Sequence, residues 1–263
     1  MSRWIVIFIA VLVFMTPSNG LADHTDNWEK LDIITDQALQ LVKHQKYDDA
    51  QKLLSYFSDQ FSKVIIHENS FTMDEIRVIT ASYEEAELAL TSESLSHEEC
   101  IKAVTKFRLV VDAVKSEHQP LWTEMETSVM ATFHTLKEAV NSGDSQVFQH
   151  ELNSFLGKYD IIYPSVRLDL DTQQSEKINA YVTYMDESRD ELLLHDSRME
   201  HMQVMEEELI RMFKQMKEDD ADPSLIWVMI STGSIIIVTL SYVAWRKYKG
   251  DKEKQASRKR LND

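Results

Sequence analysis

The densest collection of metal-binding side chains in the chain is "HDSRMEHMQVMEEEL", from His195 to Leu209. His195, Met199, His201, Met202 and Met205 offer nitrogen and thioether donors, a set that suits a copper ion outside the cytoplasm. On a helix, however, His195 shares a side with Met199 and Met202, whereas His201 pairs with Met205 elsewhere. The pattern therefore reads first as methionines filling an irregular core seam, with histidines at its margin. "HEEC", His97 to Cys100, also contains ligand types, but they are three residues apart at a helix start, with no second pair to complete a zinc tetrahedron and no H-E-x-x-H. Glu98 and Glu99 there serve the helix dipole. Cys100 is the single cysteine, so it has no intramolecular disulfide partner, and its place in "EECIKAV" predicts a buried apolar thiol. There is no G-x-S-x-G elbow and no glycine-rich phosphate loop, and the many carboxylates single out no acid–base pair. The residues thus nominate no catalytic, cofactor-binding or metal site and no cofactor, and the chain reads as non-enzymatic.

The elements that would position any such residues are helical. Between Asp23 and Asp222 the only glycines are Gly143 and Gly157 and the only prolines Pro120 and Pro164, too little punctuation for a sheet-containing domain of that size. Trp28, Leu31, Ile34, Ala38 and Leu41/Val42 step by three or four, as do Tyr47, Ala50, Leu53/Leu54, Phe57, Phe61 and Val64/Ile65. Thr72 with Glu75, and Ser96 with Glu99, have capping-box spacing. Pro120 suits the first turn of the next helix, "NSGDS" ends it, and Asp144 or Ser145 opens another toward Leu156. "KYDIIYPSVRLDLD" is the least helical stretch and predicts an extended crossing or loop. From Thr172 to about Asp219 a long amphipathic pattern predicts one helix of roughly 45 residues, ~70 Å long at 1.5 Å per residue. "KYDDAQKLL", "SHEECIKAV" and "GDSQVFQHEL" recur at about fifty residues, with Ala50, Cys100 and His150 in register, which hints at stacked helical hairpins. The expected fold class is all-α, an irregular helical bundle or stacked hairpins with one further apolar helix at the C-terminal end.

That apolar helix is "SLIWVMISTGSIIIVTLSYVAW", residues 224–245, whose ~33 Å of helix spans a hydrocarbon core of about 30 Å. Trp227, Tyr242 and Trp245 lie near its ends, at headgroup level. Beyond it stand Arg246, Lys247, Lys249, Lys252, Lys254, Arg258, Lys259 and Arg260 against Asp251, Glu253 and Asp263. With this tail and Arg3 set aside, the −16 of the whole chain becomes −22 for residues 23–222. Basic flanks stay on the cytoplasmic side, so residues 246–263 read as a cytoplasmic stop-transfer tail and residues 23–222 as an acidic domain outside. Juxtamembrane Glu218, Asp219, Asp220 and Asp222 suit the outer side. A short, acid-interrupted basic run argues against nucleic acid as a partner and for contact with lipid headgroups. At the other end "MSRWIVIFIAVLVFMTPSNGLA" has the n-region, apolar run and small-residue site of a secretory signal, with cleavage placed after Ala22 and a retained signal anchor as the alternative.

In this layout, a signal, an acidic helical exterior and one span running into "TLSYVAWRKYKG", the chain resembles the YpjB-type sporulation proteins of endospore-forming bacilli. The resemblance covers nearly the whole chain and implies a membrane-associated role in spore formation; the family carries no catalytic signature to transfer. The expected function is that of a single-pass, membrane-anchored interaction or structural protein of sporulation, with the bilayer and an unidentified envelope protein as partners. An exterior sensor signalling through the last helix and span is the alternative from another class, and a metal-handling protein or hydrolase a third.

Overall fold

The computed structural model describes residues 24–67, 71–116, 119–194, 197–218 and 223–260. Residues 1–22, the expected signal, lie outside them, as do His195, Asp219, Asp220 and Asp222. The described residues form helices α1 (His24–Lys43), α2 (Tyr47–His67), α3 (Met73–Thr91), α4 (His97–Ala113), a 3-10 turn (Leu121–Met125), α5 (Glu126–Ser142), α6 (Ser145–Asp169), α7 (Thr172–Glu187), a single turn α8 (Arg189–Leu192), α9 (Arg198–Glu218) and α10 (Pro223–Arg260). No strand occurs among the described residues. The chain divides into two units, one ending at Phe213 and the other beginning at Lys214.

In the first unit α1 to α4 close into a ring, each packing on the next and α4 returning to α1. Ring closure follows from four amphipathic helices joined by short turns, each with one apolar stripe to bury. Trp28, Leu31, Ala38 and Val42 of α1 meet Leu54, Phe57 and Phe61 of α2, Ile79 and Ala86 of α3, and Val104, Phe107 and Val111 of α4. The Phe57 and Phe107 rings lie 4.8 Å apart, edge to face, the favoured aromatic geometry. The hairpin α5/α6 then packs on α4 through α6, and α7 packs on α6. Helical hairpins are therefore the unit of construction. The first two close on each other rather than stacking in an open superhelix. The register is also corrected: Ala50 and Cys100 hold the fourth position of α2 and α4, but in α6 that position is the buried Phe148, and His150 is exposed.

The local signals act as read at several boundaries. Thr72 and Ser96 make reciprocal capping boxes with Glu75 and Glu99. Gly143 ends α5 at φ 73°, and Asp144 caps α6 through the N–H groups of Gln146 and Val147. Pro120 precedes a 3-10 turn that leads into α5.

Two expectations are overturned. "KYDIIYPSVRLDLD" is no loop, because α6 runs unbroken through Pro164 to Asp169. Its β-branched residues bury against the rest of the unit, with Ile162 and Val166 fully covered, and that burial outweighs the proline's missing N–H. The long pattern after Thr172 is not one helix but α7, α8 and α9. Ser188 leaves helical geometry at φ −104°, ψ 30°, and Arg189 turns back onto Asp186 at 2.5 Å. The break lets α9 fold antiparallel along α7, so that Lys177 reaches Glu208 at 2.8 Å and Tyr184 meets His201. Met202, Met205, Leu209, Met212 and Phe213 are then buried, which a straight helix of that length could not achieve alone.

Candidate functional site

Of the sequence candidates, His195 lies outside the described residues, and His97, Cys100, His201, Met202 and Met205 take packing or hydrogen-bonding roles. Cys100 is 4 % exposed and donates to the Ala89 carbonyl at 3.2 Å, and burial pushes its thiol pKa up, so it is an inert packing residue. His97 turns away from it to hydrogen-bond the Tyr47 hydroxyl through Nδ1 at 2.7 Å, pinning the starts of α2 and α4 together. On α9 the His201 ring packs edge-on against Tyr184 while Met202 and Met205 are buried in the seam. No group of three or more His, Cys, Asp or Glu side chains able to hold a metal occurs among the described residues.

Sequence reasoning missed the charged residues that the fold draws inward. Lys106, Arg108 and Asp112 interrupt the apolar run "CIKAVTKFRLVVDAV", and that interruption was the available signal. Because α4 is covered by α1, α3, α6 and the 3-10 turn, its polar side chains must find partners inside. The Lys106 side chain is 7 % exposed and its ammonium bridges Glu85 of α3 and Asp160 of α6, each at 2.8 Å. Burial alone would lower its pKa, but the two carboxylates more than offset this and hold it raised. Beside it, Val78, Ser82, Glu85, Tyr163, Pro164 and Arg167 line a cavity of about 190 Å³. Arg108 forks onto Asp32 of α1 at 2.5 and 3.1 Å and stands 3.9 Å from Asp112. Asp112 in turn accepts the Leu121 N–H at 2.7 Å, and Asp169, the last residue of α6, accepts the indole N–H of Trp122 at 2.6 Å.

A shallow groove of about 390 Å³ lies where α9 folds along α7, lined by Lys177, Ala180, Tyr181, Tyr184 and His201. Its walls are mostly apolar, and they bring together no nucleophile and base.

In the second unit the long helix α10 carries a stretch, Trp227–Gly250, long and apolar enough to cross a membrane. Its side chains have no protein cover: Trp227 is 72 % and Ile237 66 % exposed. Ser231, Ser234 and Thr239 return their hydroxyls to carbonyls three or four residues back, which leaves the outer surface apolar. At the basic end Lys249 and Lys252 sit over the Trp245 and Tyr248 rings at 5.7 and 5.9 Å.

Residues 28–257 match the family described as Sporulation protein YpjB. The chain is 31 % identical over 260 residues to the "Uncharacterized protein YpjB" of Bacillus subtilis (strain 168), covering 98 % of each chain. No solved structure matches it. A match across the helical unit and most of α10, together with this end-to-end similarity, makes the chain a member of the YpjB family of sporulation proteins.

Proposed function

We propose that this member of the sporulation family is a single-pass membrane protein whose helical unit stands outside the cytoplasm as a non-enzymatic docking module. The observation that carries the reading is α10: an apolar stretch of 24 residues with none of its apolar window buried by protein. Left in water it would expose a continuous apolar surface far larger than soluble monomers carry, whereas a bilayer covers it. The eight Lys and Arg residues after Trp245 favour a cytoplasmic C-terminus. An interaction role is supported by the way the first unit uses its inward charges. Lys106, Arg108 and Glu208 are held in ion pairs between or along helices, joining neighbouring elements of the unit. One span would confine the module to a plane and raise its effective concentration toward envelope neighbours. The sensor alternative would signal through α9, the last helix before the apolar stretch, to the basic tail, and a chain truncated after Lys249 that kept its function would exclude it.

Fractionation of sporulating cells tests the anchor. The full chain is expected in membranes resistant to alkaline carbonate, and a chain ending at residue 222 in the soluble fraction. Topology is read in a Cys100→Ala background with Ser94→Cys or Ser257→Cys and an impermeant maleimide. Labelling at 94 and not at 257 is expected. The reverse pattern, or carbonate release of the full chain, contradicts the proposal.

A further inference from the structure

Asp112 and Asp169 hold neighbouring residues of one turn. Asp112, in the last turn of α4, takes the Leu121 N–H and faces the Ser116 hydroxyl at 3.3 Å; Asp169, ending α6, takes the Trp122 indole N–H. Trp122 is fully buried and its ring packs 5.5 Å from that of Phe213 on α9. The two carboxyls therefore tie the ends of α4 and α6 to the element on which α9 rests. Both sit at helix C-termini, where unpaired carbonyls disfavour negative charge. The surrounding charges are mostly of the same sign. Arg108 is committed to Asp32, with Asp36 a further 4.0 Å from its Nε, and Arg167 of α6 is turned onto Asp74 of α3. The 3-10 turn and α5 carry Glu124 and Glu126 in their first turns, Asp171 precedes α7, and α9 contributes the Phe213 ring.

We infer that Asp169 keeps a proton in the folded chain as pH approaches neutrality, with the charge of Asp112 disfavouring its ionisation, and that loss of this proton loosens the joint between the α6/α7 corner, the 3-10 turn and α9. Two carboxyls against one committed cation cannot both ionise cheaply in a covered site. Burial pushes Asp169 up to about 7, with Asp112 adding to the rise and the Trp122 hydrogen bond opposing it. Asp112 is also raised, chiefly by burial. An acid whose folded pKa lies above its unfolded value of 3.8 holds its proton more tightly in the folded state. Its stabilising share is therefore whole below the unfolded pKa, falls as pH rises, and is gone above about 7.

The test uses the full chain in mild detergent, wild type against Asp169→Asn, with thermal melts from pH 5 to pH 8. The Tm difference, variant minus wild type, should grow by on the order of 5 °C up to about pH 7 and then level off. Hydrogen exchange in residues 170–213, corrected for the chemical rate, should quicken across the same range in wild type alone. Should Asp169→Asn fail to fold, Asp112→Asn serves instead: by removing the neighbouring charge it moves the wild-type exchange transition to lower pH. A Tm difference and an exchange profile flat from pH 5 to pH 8, or a transition unmoved by Asp112→Asn, overturn the inference.

Discussion

Two cations two residues apart on α4 illustrate how little an ion pair's presence says about its worth. Arg108 and Lys106 are both nearly covered, with side chains 10 % and 7 % exposed. Their partners differ. Asp32 is 31 % exposed and meets Arg108 in a two-pronged fork, so removing it leaves the covered guanidinium only the looser contacts to Asp112 and Asp36 at 3.9 and 4.0 Å. Glu85 and Asp160 are 48 % and 53 % exposed and share one ammonium, so either can go and leave Lys106 with the other. Asp32→Ala is therefore expected to cost ~3 kcal/mol, near the low end for breaking a buried pair. Glu85→Ala should cost under ~1 kcal/mol, in the range of exposed pairs. Denaturant melts of both variants measure the gap, and equal losses would show that Arg108 finds compensation elsewhere.

Between α1 and α2 a helix end was hidden from the sequence because the usual residue is missing. The Lys46 N–H bonds the Leu41 carbonyl at 2.9 Å and the Gln45 N–H the Val42 carbonyl at 2.8 Å, a left-handed helix stop with Gln45 at φ 59° where glycine is usual. Gln45→Gly is expected to stabilise the unit by ~0.5 kcal/mol, relief of the left-handed strain exceeding glycine's greater unfolded-state entropy. A loss of stability in a denaturant melt would mean that the glutamine side chain contributes more than its backbone costs. Local chemistry made the other boundaries legible: Thr72, Ser96, Gly143 and Asp144 act within a few residues of themselves, so their spacing is enough. Pro164 and Ser188 mislead for the opposite reason. Whether a proline is carried or a long pattern breaks depends on what covers Ile162 and Val166, or what Met205 and Leu209 can reach, and those partners are remote in sequence. The inward charges were half legible. Lys106, Arg108 and Asp112 are conspicuous on an apolar helix, but the partners Asp32, Glu85 and Asp160 are ordinary acids in a chain with 44 Asp and Glu residues.

At the scale of the whole chain, charge is divided along the sequence, strongly negative before the apolar stretch of α10 and positive after it. Family membership places the chain among proteins of spore formation, and the apolar stretch of α10 is long enough to cross a bilayer. The most direct measurement is complementation of an in-frame deletion in the organism the chain comes from, with vegetative growth and heat-resistant spores scored side by side and protein levels followed by immunoblot. The deletion is expected to grow normally and yield fewer heat-resistant spores, with the full chain restoring them and a chain ending at residue 222, equally abundant, failing to do so. Full rescue by the shortened chain would contradict a membrane-anchored role, and an unchanged spore yield in the deletion strain would contradict the role in sporulation itself.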